Sequence, residues 1–202
     1  MQQDSADKYT FVLMELKSFI QKIHPLSPLL QDELVASFQF YEFPKNYYLL
    51  KQGRTCHQLW FLVKGAVRYF YTDEEGKEVN VWFSFEPDII ADTSSLIQQT
   101  PALESIQLLE DSSVYAIDYA VLQRLLQQHH ALALWYIKLF ETYYVPQMED
   151  RVSDLQFLNA RQRYEKLLGQ FPNITNRISL GHIASYLNIS QETLSRIRSG
   201  KQ

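Results

Sequence analysis

The sequence predicts an α+β chain: two N-terminal helices, an antiparallel β-sandwich or roll through the middle, a long helix, and a helix-turn-helix near the C-terminal end. Three observations carry that prediction. Between residues 38 and 117, aromatic and β-branched residues come in short runs broken by turn signals, the texture of many short antiparallel strands. Residues 119–155 change to apolar spacings of three and four, the period of a helix. The last two dozen residues hold two short apolar-periodic segments that meet at Asn188.

At the N-terminal end, residues 7–23 space apolar side chains at three and four and read as an amphipathic helix that Pro25 and Pro28 stop. A short second helix is expected over residues 28–37, capped by Ser27, with acidic Asp32 and Glu33 in its early turns. The expected strands are residues 38–43, 47–51, 59–63, 66–72, 78–85, 105–109 and 114–117. Residues 66–71 and 78–83, joined by an acidic turn ending in Gly76, are the clearest hairpin. Arg68 sits among its aromatic residues, where an arginine stem can lie along a sheet.

In the helical stretch, Leu122, Leu125, His129, Leu132, Tyr136, Leu139 and Tyr143 follow a 3,4 spacing like the seam of a coiled coil. Trp135, Phe140 and Tyr144 lie off that seam, so more than one face is apolar, enough to serve the helix's own domain and a partner at once. Pro146 should kink or bulge the helix, because it has no N–H for the carbonyl four residues back. Asn159 is placed to cap a further helix over residues 160–169, ended by Gly169 and Pro172, and residues 171–179 read as a loop or short hairpin.

Composition excludes several classes. The chain has 202 residues, 46% hydrophobic and 21% charged, which suits a soluble globular protein with one large or two small domains. No uncharged apolar run approaches the ~18 residues of a membrane span. The start, MQQDSADKYT, lacks a basic region before an apolar core, so no secretory signal is expected and the location is read as cytoplasmic. A single cysteine, Cys56, rules out an internal disulfide and a four-cysteine zinc or iron–sulfur site. No catalytic or metal-ligating cluster is legible: a cupin-like oxygenase on such a roll would need histidine and carboxylate ligands, and no two histidines fall in adjacent strands.

The charge is uneven. Residues 1–150 hold 11 Lys/Arg and 20 Asp/Glu (net −9), whereas residues 151–202 hold 8 and 3 (net +5). A basic module on an acidic body is what a phosphate-binding head on a separate sensor looks like. In that module Ile183, Leu187, Ile189, Leu194 and Ile197 form the apolar set and Ala184 allows two helices to cross closely. Asn188 suits a left-handed turn position, and Ser190 is placed to cap the second helix. That helix would present Gln191, Glu192, Thr193, Ser195, Arg196 and Arg198, residue types that hydrogen-bond base edges and phosphates. Gln191, Glu192 and Arg196 are assigned to bases; Ser190, Thr193, Ser195, Arg198 and Lys201 to the phosphate side; Arg177 and His182 add backbone contacts.

The motifs YLLKQGRTCHQLWFLVKGAVRYFY, with Gly53 and Gly65, DRVSDLQFLNARQRYEKLL, and IASYLNISQETLSRIR together resemble the Crp/Fnr superfamily of bacterial regulators, from about residue 10 onward. The likeness is greatest to the branch common in Bacteroidetes, where ASYL and LSRIR are typical. The resemblance implies a β-roll of the double-stranded β-helix or jelly-roll type with flanking helices, then a long dimerisation helix and a C-terminal winged helix-turn-helix. The implied domains are a cyclic-nucleotide-binding-like sensor at 1–130, the dimerisation helix and hinge at 131–157, and the DNA-binding domain at 158–202.

The departures from the family pattern concern the ligand. Members that bind cyclic AMP carry a Gly-Glu pair and, after a short stretch, Arg-Ser/Thr-Ala gripping the cyclic phosphate. Here Ala91-Asp92 and Ala102-Leu103-Glu104 stand at those places, so the gripping arginine is absent and a carboxylate is close by. A buried phosphate without a cation is strongly disfavoured, so cyclic AMP is not the expected effector and no cofactor is assigned. Arg68 and Asp92 are the polar candidates for an effector pocket, and Leu132, Trp135, Leu139 and Tyr143 for a dimer interface. The expected function is a homodimeric, sequence-specific transcription regulator acting on double-stranded DNA, with RNA polymerase as a further partner and no membrane. The alternative is a small-molecule-binding roll whose DNA binding is degenerate or secondary.

Overall fold

The computed structural model describes residues 2–200. Helix α1 (Gln2–Ile23) packs on α2 (Pro28–Ala36). Ser27 caps α2 by accepting from the Leu30 N–H, and Pro28 occupies the first turn, where a missing N–H costs nothing.

Strands β1 (Gln39–Phe43), β2 (Tyr48–Leu50), β3 (Gln58–Lys64), β4 (Ala66–Thr72), β5 (Glu78–Phe85), β6 (Asp88–Ile90), β7 (Ser105–Leu108) and β8 (Ser112–Asp118) form two four-stranded sheets, ordered β1-β8-β3-β6 and β2-β7-β4-β5. All pairings are antiparallel. Phe61, Val67, Ile106, Leu108 and Val114 fill the core at 0% exposure. Between β3 and β4 the chain turns at Gly65, whose φ is +133; a Cβ there would meet Ser112 Oγ at 2.1 Å, so only glycine fits.

The strand segments read from the sequence appear, and two further elements join them. Strand β6 is three residues long, too short to show a period of two. Helix α3 (Thr93–Gln98) is one polar segment, capped by the Asp92 carboxylate accepting from Ser95 N at 2.9 Å.

Helix α4 (Tyr119–Gln128) ends at His129, whose extended backbone redirects the chain into α5 (His130–Leu139). The apolar period of residues 119–143 passes through this break because Leu122, Leu125, Leu132, Trp135 and Leu139 all face one core. A π-helical turn, Phe140–Tyr144, then joins α5 to α6 (Val145–Phe157), with the Val145 N–H bonded to the Phe140 carbonyl. This is the bulge expected from Pro146: the missing proline N–H favours a widened turn just before it.

The C-terminal part consists of α7 (Ala160–Gln170), α8 (Ile174–Arg177), α9 (Leu180–Tyr186) and α10 (Gln191–Arg198). Asn159 and Gln162 form a reciprocal capping box on α7. Residues 171–179 hold the single-turn α8 instead of a loop or hairpin, because Ile174 and Ile178 lie four apart and both enter the local core. Among the described residues no strand follows β8, so the wing implied by resemblance is not among them.

Candidate functional site

Helices α9 and α10 form the helix-turn-helix. Ser179 caps α9 by accepting from His182 N at 3.2 Å, and Ser190 caps α10 by accepting from Thr193 N at 3.1 Å. Between them Asn188 takes φ +54, the left-handed position. Ile183, Ala184, Leu187 and Leu194 are buried where the helices cross, with Ile189 and Ile197 packed beside them. Gln191, Glu192, Ser195, Arg196 and Arg198 are exposed along α10, and Thr193 is half-buried. Arg196 donates to Thr193 Oγ1 at 3.2 Å, so this contact, and not an ion pair with Glu192, orients it. Lys201 lies outside the described residues.

Arg177 and His182 were expected on the DNA backbone, and the structure places both elsewhere. Arg177 donates to Glu86 at 2.7 Å, to both oxygens of Glu110 and to the Gly65 carbonyl at 2.9 Å. Burial works against its charge, but the bonds to Glu110 and Glu86 prevail and hold its pKa above the ordinary arginine value. His182 is half-buried against the roll, with Nδ1 3.3 Å from Arg68 Nη1 and 3.4 Å from Asn80 Nδ2. Both neighbours are donors, so Nδ1 accepts and the proton sits on Nε2. Burial, then the Arg68 charge, depress its pKa, with Glu78 opposing.

Arg68 is likewise no effector ligand. It donates to Gln107 at 2.8 Å and to Glu78 at 2.6 Å, and its guanidinium lies 3.8 Å above the Phe70 ring. Strand β4 is buried on both faces, one toward the roll core and the other under α9, and Arg68 lies on the α9 side. Asn80 N donates to Ser185 Oγ at 2.9 Å, and the rings of Phe83 and Tyr186, and of Phe85 and Phe171, pack across the same boundary. Ala66, Phe83 and Leu109 of the roll share a core with the helix-turn-helix. The C-terminal module is therefore docked on β5 through α9, with α10 outward.

A cavity of about 610 Å³ lies between the roll, α3 and the helix running from α5 through α6. Ala91-Asp92 and Ala102-Leu103-Glu104 all line it, as do Trp82 on β5 and Phe140 and Tyr144 on the helix. Asp92 spends its carboxylate on the α3 cap. Burial, then the nearby Asp92 charge, push Glu104 up to about 7. The aromatic walls carried no local sequence signal, because they converge only when the helix folds back over the roll.

The residues assigned to a dimer seam are also corrected. Leu132, Trp135 and Leu139 are at most 5% exposed in the chain's own core, and Trp135 Nε1 donates to the Ile20 carbonyl of α1 at 2.8 Å. Tyr143 donates to Asp88 at 2.5 Å and stacks edge-on against Phe19. The apolar side chains left exposed on this helix include Leu134, Ile137, Val145 and Val152. Among the described residues no helix is long and apolar enough to cross a membrane, and no group of three or more His, Cys, Asp or Glu could hold a metal ion.

Residues 40–129 match the family model of the cyclic nucleotide-binding domain. Among curated proteins, the anaerobic regulatory protein of Bacillus subtilis is 22% identical over 111 residues, a match covering 55% of this chain but only 46% of that one. Among solved structures, FixK2 from Bradyrhizobium japonicum superposes with a TM-score of 0.68 at 17% identity, covering 81% of this chain and 83% of that chain. The Thermus thermophilus catabolite activator protein gives 0.55 at 23% identity, covering 88% and 84%. Residues 40–129 thus resemble the cyclic nucleotide-binding domain, and the chain shares the fold of FixK2 and of the catabolite activator protein.

Proposed function

We propose that the chain is a homodimeric, sequence-specific DNA-binding transcription regulator whose roll senses a small molecule other than cyclic AMP. The observation that carries this reading is α10: capped by Ser190, anchored through fully buried Leu194, and exposing Gln191, Glu192, Ser195, Arg196 and Arg198. Such a helix fits a major groove and offers bidentate donors and acceptors to base edges. The solved structures of like fold include a catabolite activator protein, which fits a regulator's role; RNA polymerase is the further partner of this reading. Such a regulator works in the cytoplasm, where its DNA is.

Dimerisation through the exposed stripe on α5 and α6 suits this role. Ile137, Val145 and Val152 are 48%, 43% and 54% exposed and stand eight and seven residues apart. That is a heptad step on each side, with one extra residue for the π-helical turn. Against cyclic AMP stands the absence of a cation beside Ala102, where Glu104 would face the phosphate.

The test is selection of duplex DNA from a random library by the full chain. The expected product is a pseudo-palindrome with half-sites about 34 Å, or a multiple, apart. Enrichment without two-fold symmetry would contradict the dimer, and no enrichment would contradict the function.

A further inference from the structure

Four ionisable groups in the roll cavity matter here: Asp88 on β6, Asp92 before α3, Glu104 before β7 and Arg151 on α6. Three are already answered. Asp88 accepts from the Tyr143 hydroxyl at 2.5 Å and from Ile89 N at 2.7 Å. Asp92 accepts from Ser95 N at 2.9 Å. Arg151 donates to the Tyr186 carbonyl at 2.5 Å and lies 3.7 Å over the Tyr186 ring, which turns it toward the C-terminal module. Glu104 alone has no hydrogen bond or ion pair among the described residues, although it is mostly enclosed.

The remaining walls are rich in aromatic rings. Tyr69 and Trp82 come from the roll, and Tyr136, Phe140 and Tyr144 from the helix opposite. About 610 Å³ holds a small organic molecule. An anionic ligand would meet three carboxylates with one guanidinium already engaged, an arrangement that repels it. A neutral apolar ligand would desolvate Glu104 further and leave it unanswered. A cation answers Glu104, offsets the repulsion between Glu104 and Asp92, and gains from the faces of the rings.

We propose that this cavity binds an organic cation, an ammonium head on an aromatic or apolar body, with Glu104 as its anchoring carboxylate. This rests on the reading of the roll as a ligand-sensing domain and assigns the class of its ligand. The acid–cation pair replaces the arginine–phosphate pair that the family motif would have put in the same cleft.

The experiment measures thermal shift and calorimetric affinity of the full chain with matched probes: tryptamine against indole-3-acetate, and phenethylamine against phenylacetate. Cyclic AMP serves as a third anion. The amines should stabilise the wild type and the anions should not. Glu104→Gln should fold and lose about tenfold or more in amine affinity, as expected for removing a charge-assisted bond. An unchanged amine affinity in Glu104→Gln would overturn the anchoring role. Equal binding of amines and carboxylates, or binding of neither amine, would overturn the ligand class. Those failures leave the DNA reading intact, because it is tested on another module without ligand, and a failure of the DNA test leaves the amine titration unaffected.

Discussion

Arg196 and Arg198 share a helix, and the proposed function gives them different roles. Arg196 is braced by Thr193 at 3.2 Å and follows Glu192 by one turn, on the same side of α10, whereas Arg198, two residues on, leaves the helix on another side. Arg196→Ala should cost about 1–3 kcal/mol on the selected operator and far less on random duplex, relaxing preference at one position of each half-site. Arg198→Ala should weaken both DNAs about equally and flatten the salt dependence by about one unit of slope. Fluorescence anisotropy on both duplexes separates the two; equal losses for Arg196→Ala would make it a phosphate clamp. Glu104 makes a second prediction at this scale. Its carboxyl is raised to about 7 from 4.5, so the folded chain keeps a proton that the unfolded chain releases. The resulting stability is present below about pH 4.5 and is lost as pH rises through about 7. Glu104→Gln should therefore melt higher than wild type at pH 8 and close to it at pH 4.5, by scanning fluorimetry; an equal gap at both pH values would contradict the burial of Glu104.

In the proposed dimer, the helix from α5 to α6 separates folding from assembly by face. Leu132→Ala empties a fully buried site and should cost about 2–5 kcal/mol of stability without changing the oligomeric state. Ile137→Asp with Val152→Asp places charge on the exposed stripe and should yield folded monomers by sedimentation, with little loss of stability. If the aspartate pair stays dimeric, the stripe is not the interface. This helix also shows what the sequence could convey. Its 3,4 period was legible, and so was the bulge before Pro146, because both follow from local backbone chemistry. Which apolar face meets the chain's own core was not legible, since the partner of Trp135 is Ile20, 115 residues away. The capped helices α2, α7 and α10 were readable from Ser27, Asn159 and Ser190 for the same local reason. Arg68, Arg177 and His182 were misplaced because their partners come from the roll and the module meeting across more than 100 residues of chain. Along α10 a small buried anchor and a polar outer face sit within eight residues, so the arrangement there was legible.

At the scale of the whole molecule, the docked module occupies two of the side chains that the sequence assigned to the DNA backbone. Arg177 is held by Glu86 and Glu110, and His182 faces Arg68, so neither is free for phosphate in this arrangement. Glu86→Gln with Glu110→Gln should release Arg177 and tighten DNA binding by a factor of about 2–5, the modest worth of partly exposed ion pairs. Weaker binding by that variant would mean that the docked arrangement is the DNA-competent one. The central claim, that a roll-borne helix-turn-helix reads a DNA sequence, is tested most directly by affinity of the full chain for its selected operator and for random duplex, across a salt series. The account predicts a specificity ratio of roughly 10³ or more, with log affinity falling linearly against log salt on both DNAs. A ratio near one at every salt concentration would contradict it.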